Sequence, residues 1–344
     1  MTSSTGLRWE KIVLKLRNPF RLSYGVSETR QAFWLRLPGD EGWGEGTIPP
    51  YYGVADAAME AVWRAAAESG RELPDDPAEI EAWVGDQGPA PAHCALDLAL
   101  YDRIARQRGL PLYKLLGLPK PTPMPTSFTI AIDTPETMAR MAAENRHMPI
   151  IKVKLGSDDD ESRLKAIRAA RPDARLRVDA NAGWSLEEAI HQVQALESYD
   201  LEMIEQPLPK EQIEAMGEVQ KYTHLPLVAD ESVQTLQDVE HLAAAGVRGI
   251  NIKLMKVGGL TPGLRMLKRA RELGLQVMLG CMVETSLGTT AMAHLAGLAD
   301  WLDLDAPLLV SNDPFDGVAY SPTLDLSLPD RPGIGARLKT GQPA

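Results

Sequence analysis

The sequence predicts an α/β protein: a (β/α)7β-type TIM barrel preceded by an α+β capping domain. Three observations carry this. Eight short apolar segments alternate with helical stretches between Ser127 and Asp303, as in a closed parallel sheet. Three consecutive segments in the middle of the chain end in an acid: Asp179 after Leu176-Arg177-Val178, Glu205 after Leu201-Glu202-Met203-Ile204, and Asp230 after Pro226-Leu227-Val228-Ala229. Their spacing is roughly twenty-five residues, one strand plus one helix of a parallel array. Finally, the N-terminal part reads as strands and then helices, the order of a separate α+β unit. A chain of 344 residues accommodates both, since a barrel takes roughly 250 residues.

In order, Ile12–Leu16 and Ala32–Leu37 are expected as strands, with Gly39-Asp40-Glu41-Gly42 as a turn and Trp43-Gly44-Glu45-Gly46 as a third strand. Helical patterns follow at about Val54–Ser69, Glu79–Gly85 and Ala92–Arg108, the last stopped by Gly109 and Pro111. The barrel segments are Ser127–Ile132, Ile150–Leu155, Leu176–Asp179, Leu201–Glu205, Leu227–Asp230, Gly249–Leu254, Gln276–Leu279 and Trp301–Asp303. Among the intervening helices, Ser185 and Glu188 match a capping box. Expected boundaries are 1–120 for the capping domain, 121–310 for the barrel, and 311–344 for a C-terminal segment that packs back on the cap.

A net charge of −11 makes nucleic acid or an anionic membrane a poor partner. Cys94 and Cys281 are the only cysteines, which points to a reducing compartment rather than a disulfide framework. Residues Met1 to Glu10 lack the apolar core of an export signal, and no segment has the roughly twenty apolar residues of a membrane span. The expectation is a cytoplasmic protein, with no nucleic acid or membrane partner and with homo-oligomer assembly open. The six histidines show no pair at helical ligand spacing, which argues against zinc.

In such a barrel, strand carboxyl ends share one rim, so Asp179, Glu205 and Asp230 should converge. Like charges repel at close range, and a hard divalent cation such as Mg²⁺ resolves the conflict. Period-two alternation puts Lys152 and Lys154 on one face, opposite Ile151 and Val153. That face is either the barrel axis or, on a solvated edge strand, the surface. Lys253 ends the sixth segment, roughly across the barrel, whereas Lys256 is expected in a surface loop before Gly258-Gly259. Two lysines on opposite sides of a substrate form a two-base pair, which requires a neutral amine and hence a lowered lysine pKa. Asp303 and Asp305, again two apart, suit a substrate ammonium or the capping of a turn.

Lys152-x-Lys154, Asp179-Ala180-Asn181, Glu205-Gln206-Pro207, Asp230-Glu231-Ser232 and Asn251-Ile252-Lys253 together resemble the enolase superfamily, in its muconate-lactonizing subgroup. The run Ala95-Leu96-Asp97-Leu98-Ala99-Leu100-Tyr101-Asp102 and the exit Pro111-Leu112-Tyr113-Lys114-Leu115-Leu116-Gly117 resemble its capping-domain helix. Asp303-Leu304-Asp305 is similar to the ammonium-binding pair of dipeptide epimerases, and Cys281-Met282-Val283-Glu284 carries no histidine of the mandelate-racemase kind.

The resemblance implies an isomerase that epimerises dipeptides. In it, Asp179, Glu205 and Asp230 bind Mg²⁺, Lys154 and Lys253 are catalytic, and Lys152 supports Lys154. Thr129, Cys281, Val283, Asp303 and Asp305 contact the substrate. An o-succinylbenzoate synthase or muconate cycloisomerase using the same site stays open, as does a barrel that binds without turnover. Ala-Glu epimerases of this group meet the substrate glutamate with a loop arginine. Counting from Pro19-Phe20 puts that position at Gly25, with Arg21 and Arg30 expected to fall short of it. Tyr51 and Tyr52, as an apolar wall, would suit a hydrophobic side chain instead.

Overall fold

The computed structural model describes residues 6–23 and 25–340. Strands β1 (Arg8–Leu22), β2 (Gly25–Arg36) and β3 (Trp43–Gly46) form an antiparallel sheet. The first two run longer than the apolar pattern suggests, because their outer halves pair as a hairpin with little core beneath them. Their register shifts between Lys15 and Phe20, around Pro19, which has no N–H to give to a ladder.

Helices Asp56–Glu68, Ile80–Val84 and Ala90–Gln107 complete the cap. The third has thirteen buried residues, including Asp97 and Asp102. It lies directly on β3 because Gly42, Gly44 and Gly46 present no side chain to it. A β-carbon on Gly44 would fall 1.9 Å from the Ala95 carbonyl oxygen, and one on Gly42 would fall 2.2 Å from that of Ala99.

The barrel strands are β4 (Phe128–Ile130), β5 (Ile150–Lys154), β6 (Arg175–Asp179), β7 (Leu201–Glu205), β8 (Leu227–Ala229), β9 (Gly249–Ile252), β10 (Gln276–Gly280) and β11 (Trp301–Asp303). They pair in parallel in chain order. A bridge between Thr126 and Leu302, with Ser127 N–H donating to the Leu302 carbonyl at 3.2 Å, joins the first strand to the last. Helices connect the first seven strands to their successors, and among the described residues the one helical piece after β11 is the short turn Ala306–Leu309, the (β/α)7β pattern. Ser185 and Glu188 close the expected capping box, and Thr235 with Asp238 closes a second. Alternate strand residues point inward or outward, so Ile151 and Val153 join the apolar layer under the helices.

After the barrel the chain returns to the cap. Ser311 N–H donates to the Lys15 carbonyl at 2.8 Å. Phe315 packs edge-on against Trp34 and Trp43, with ring centroids 5.3 and 5.4 Å away. Gly333 and Ile334 bond to Leu110 and Asp102. Among the described residues, no helix is long and apolar enough to cross a membrane.

Candidate active site

Barrel geometry delivers the charged residues to one place. Asp179 and Glu205 are the last residues of β6 and β7, and Asp230 follows β8 directly. All three are at most 1% exposed. Lys152 and Lys154 are buried in β5, which lies between β4 and β6 and is no edge strand. Lys253 follows β9, four positions around the eight-stranded ring from β5.

Lys152 Nζ sits 3.0 Å from Asp179 Oδ2, 2.6 Å from Glu205 Oε2 and 2.7 Å from Asp303 Oδ2. Lys154 Nζ reaches Asp179 Oδ2 at 2.6 Å, and Lys253 Nζ reaches Asp230 Oδ2 at 2.7 Å. Ser127 Oγ–H donates to Asp303 Oδ1 at 2.5 Å, and the Thr129 N–H donates to Asp305 Oδ2 at 2.9 Å. Asn251 Nδ2 donates to Glu205 Oε1 at 2.8 Å, so each acid of the trio is held by a neighbour.

Lys256 corrects an expectation. It lies not in a surface loop but in a one-turn helix, Leu254–Val257, and is 2% exposed. That turn folds its side chain back under β8. Its Nζ bonds to Asp230 Oδ1 at 2.6 Å, to the Asn251 carbonyl at 3.0 Å and to the Asp230 carbonyl. Apolar Leu254, Met255 and Val257 around it were the available signal of burial.

The charges shift one another. Burial, then the nearby Asp179, pushes the Glu205 carboxyl up to about 8. Burial would raise Asp179 too, but Lys152 and Lys154 outweigh it and hold that carboxyl below its ordinary value. Burial would lower Lys152 and Lys253. Instead Asp179, Asp303 and Glu205 hold the first well above the usual lysine value, and Asp230 and Glu205 the second. The acids around Lys253 therefore favour its ammonium form. Burial and then Asp303 raise Asp305 to about 6.

Thr129, Lys152, Lys154, Lys253, Asp303 and Asp305 line one cavity of about 60 Å³, together with Cys281 and Val283. Cys281 Sγ also donates to the Asp303 carbonyl at 3.3 Å. The cavity shares Phe20, Thr129 and Leu309 with an adjoining groove of about 540 Å³ under the β1–β2 hairpin. Among the described residues, the acids face the lysine ammoniums and no three metal-binding side chains form a ready-made cage. Their chemistry nonetheless fits a hard divalent cation. They are all-oxygen donors, and a cation among them would relieve the repulsion by which Asp179 and Asp230 raise Glu205.

Sequence reasoning set Arg30 aside, yet it lines the same cavity with Pro49 and Tyr51 of the second cap loop. Ser127 was also missed, since a serine opening an apolar strand carries no distinctive signal.

Residues 135–342 match the enolase C-terminal domain-like family model. The L-Ala-D/L-Glu epimerase of Bacteroides thetaiotaomicron is 38% identical over 94% of this chain and 85% of its own. The solved dipeptide epimerase of Cytophaga hutchinsonii, complexed with Mg and D-Ala-L-Val, superposes with a TM-score of 0.91 at 29% identity, covering 97% of this chain and 96% of that one. The dipeptide epimerase of Enterococcus faecalis, complexed with Mg and L-Leu-L-Tyr, gives 0.90 at 32%, covering 96% and 99%. With eight barrel strands, buried acids at three consecutive strand ends and these likenesses, the chain belongs to the enolase C-terminal domain-like family.

Proposed function

We propose that this protein is a Mg²⁺-dependent dipeptide epimerase that inverts the α-carbon of the C-terminal residue of a dipeptide. One observation carries the reading: two lysines, Lys154 and Lys253, face a single cavity from strands on opposite sides of the ring, with Asp303 and Asp305 at its rim. The relatives named as dipeptide epimerases support it.

A proton beside a carboxylate is weakly acidic, because removing it adds negative charge to a group that already carries one. Asp179, Glu205 and Asp230 would hold Mg²⁺, which when bound polarises the substrate carboxylate. Lys152, held among three carboxylates, offers a fixed positive charge to the enediolate as it forms. One of Lys154 and Lys253, as a free amine, takes the α-proton, and the C–H electron pair moves into the carboxylate. The other, as an ammonium, returns a proton to the opposite face. The substrate loses one proton and gains one, and the two lysines exchange charge states. Asp303 and Asp305 bind the substrate ammonium and so set which carbon lies between the lysines. Thr129, Cys281 and Val283 contact the rest of the dipeptide.

A panel of L,L-dipeptides incubated with Mg²⁺ in D₂O tests this by mass spectrometry. Deuterium should enter the α-carbon of the C-terminal residue. A panel showing neither exchange nor epimerisation would sink the proposal. Asp303→Asn separates it from a lyase or cycloisomerase acting on an amine-free substrate: an epimerase should lose roughly 10²-fold in kcat/KM, and such a lyase far less.

A further inference from the structure

Asn181 keeps an unused acceptor at the cavity. It follows β6 by two residues, lines the cavity and is 3% exposed. Its other polar groups are engaged. The N–H donates to Asp179 Oδ1 at 2.9 Å, the carbonyl accepts from Ser23 Oγ–H at 2.7 Å, and Nδ2 donates to Glu231 Oε1 at 3.2 Å. Its Oδ1 is buried with no hydrogen-bond partner among the described residues. Gln206, the amide after Glu205, shows the contrast. Its Nε2 donates to the Leu208 carbonyl and Ser232 Oγ, and its Oε1 accepts from the Asp230 and Ser232 N–H groups. A buried amide oxygen without a donor is costly, so its retention at a ligand cavity points to a ligand that supplies one. The Asn181 backbone, at φ 42°, is bonded at both ends, so the acceptor is in place before a ligand arrives.

The strand order says which donor is missing. The acid trio is centred on β7, and Asp303 ends β11, four positions around the ring. Lys154 and Lys253, at β5 and β9, lie across the other diameter. A dipeptide with its carboxylate at the trio and its ammonium at Asp303 and Asp305 is held along the first diameter. Two anchors leave it free to turn about the line between them, and turning carries the α-hydrogen away from the lysines. A third anchor off that line stops the turn. Asn181, beside β6, stands off it. The backbone of a dipeptide carries two donor groups. Asp303 and Asp305 take the ammonium, which leaves the peptide N–H, attached to the reacting carbon itself.

Resting on the epimerase reading, we propose that Asn181 Oδ1 accepts the peptide N–H of the dipeptide and so orients the reacting carbon between the two lysines. The nitrogen stays bonded to that carbon as it inverts, so the contact serves both epimers alike. A C-terminal proline, which has no N–H in a dipeptide, cannot make it.

The test pairs the L,L-dipeptide that the wild type turns over fastest with its depsipeptide, in which an ester oxygen replaces the peptide N–H. α-Deuteration, kcat and KM are measured with Mg²⁺ for the wild type and Asn181→Gly, since glycine keeps the left-handed backbone without steric cost. The wild type should favour the peptide over the ester by ~30-fold in kcat/KM. Asn181→Gly should bring that preference close to one, mainly through a lower kcat on both epimers of the peptide. Its Mg²⁺ affinity without dipeptide, read by calorimetry, should stay within about threefold of wild type. Equal wild-type turnover of peptide and ester would overturn the proposal. So would an Asn181→Gly protein that slows on both in proportion, or that binds Mg²⁺ far more weakly, the mark of a residue serving the loop after β6. Exchange with no dipeptide by the wild type would defeat the epimerase reading itself and this inference with it, a result distinct from exchange without preference.

Discussion

The barrel mouth and the seam between barrel and cap both bury carboxylates, and they neutralise them by different means. At the mouth, Asp179, Glu205, Asp230 and Asp303 face lysine ammoniums. At the seam, the acids face mainly backbone N–H groups at helix starts. Asp97 of the cap accepts from Leu260 N–H at 2.6 Å and Thr261 Oγ1–H at 2.6 Å, capping a barrel helix. Glu45 accepts from Thr285 N–H, Thr285 Oγ1–H and Gly288 N–H at 2.9, 2.5 and 3.0 Å. Asp102 joins Trp43 and Ile334 through their N–H groups at 2.9 and 2.7 Å and pairs with Arg106.

The difference is one of exchangeability. A dipole at a helix start cannot leave, so the seam acids hold two units of structure together. A lysine side chain can swing, gain or lose a proton, and give up a carboxylate to another cation. Burial pushes Asp97 and Glu45 up to about 7 because threonine hydroxyls and N–H groups only partly offset it. At the mouth, the lysines more than offset the same penalty for Asp179 and hold it low.

Breaking the mouth should abolish chemistry. Lys154→Ala and Lys253→Ala should each lower epimerisation by about 10³-fold, and each should block deuterium exchange from one epimer more than from the other. Stopped-time mass spectrometry on both epimers checks this, and equal loss on both would undo the two-sided arrangement. Lys256→Met should cost stability by about 3–5 kcal/mol, because Asp230 loses one of its two counter-ions in a buried setting. Urea denaturation reads that cost, and added Mg²⁺ should restore more stability to this variant than to the wild type.

The seam offers a sharper test through pH. His294 accepts from Tyr113 N–H through Nδ1 at 3.1 Å, and its Nε2 lies 3.0 Å from the Ile334 carbonyl. Burial lowers its pKa to about 4 from the ordinary 6.5. Between those values the unfolded chain binds the proton and the folded one does not, so stability is lost as pH falls through that window. The lead of the wild type over His294→Asn should shrink from pH 6.5 to 4 by up to about 3 kcal/mol, measured by denaturation at each pH. A lead independent of pH would mean that the folded histidine is already protonated.

The smallest expected effect is Asp97→Ala. Loss of a helix cap and of acceptors for buried donors should cost about 2 kcal/mol while leaving kcat of the folded enzyme nearly unchanged. A large fall in kcat would show that the seam also positions the site.

Much of this was legible beforehand because each barrel strand is an apolar run of the right length and each trio acid sits at a run's end. Alternation put Lys152 and Lys154 on one face, and the place of β5 inside the ring made that face the inward one. Lys256 was misplaced because it lies beyond its strand, where period-two reasoning stops and only the turn Leu254–Val257 folds it under Asp230. Arg30 was set aside by counting along the hairpin, yet counting cannot register that β2 lies across the barrel mouth.

The amino-acid order by itself determined the alternation of strands and helices, the acids at the strand ends and the shared face of Lys152 and Lys154, because these follow from local periodicity and from one repeated unit. Only the tertiary structure decided which charges neutralise which. Lys152 bridges acids from three different strands, and Arg30 meets the cavity from β2 of the N-terminal sheet. Such pairings depend on distances between residues far apart in the chain, and those distances exist only once the barrel has closed and the cap has docked on it.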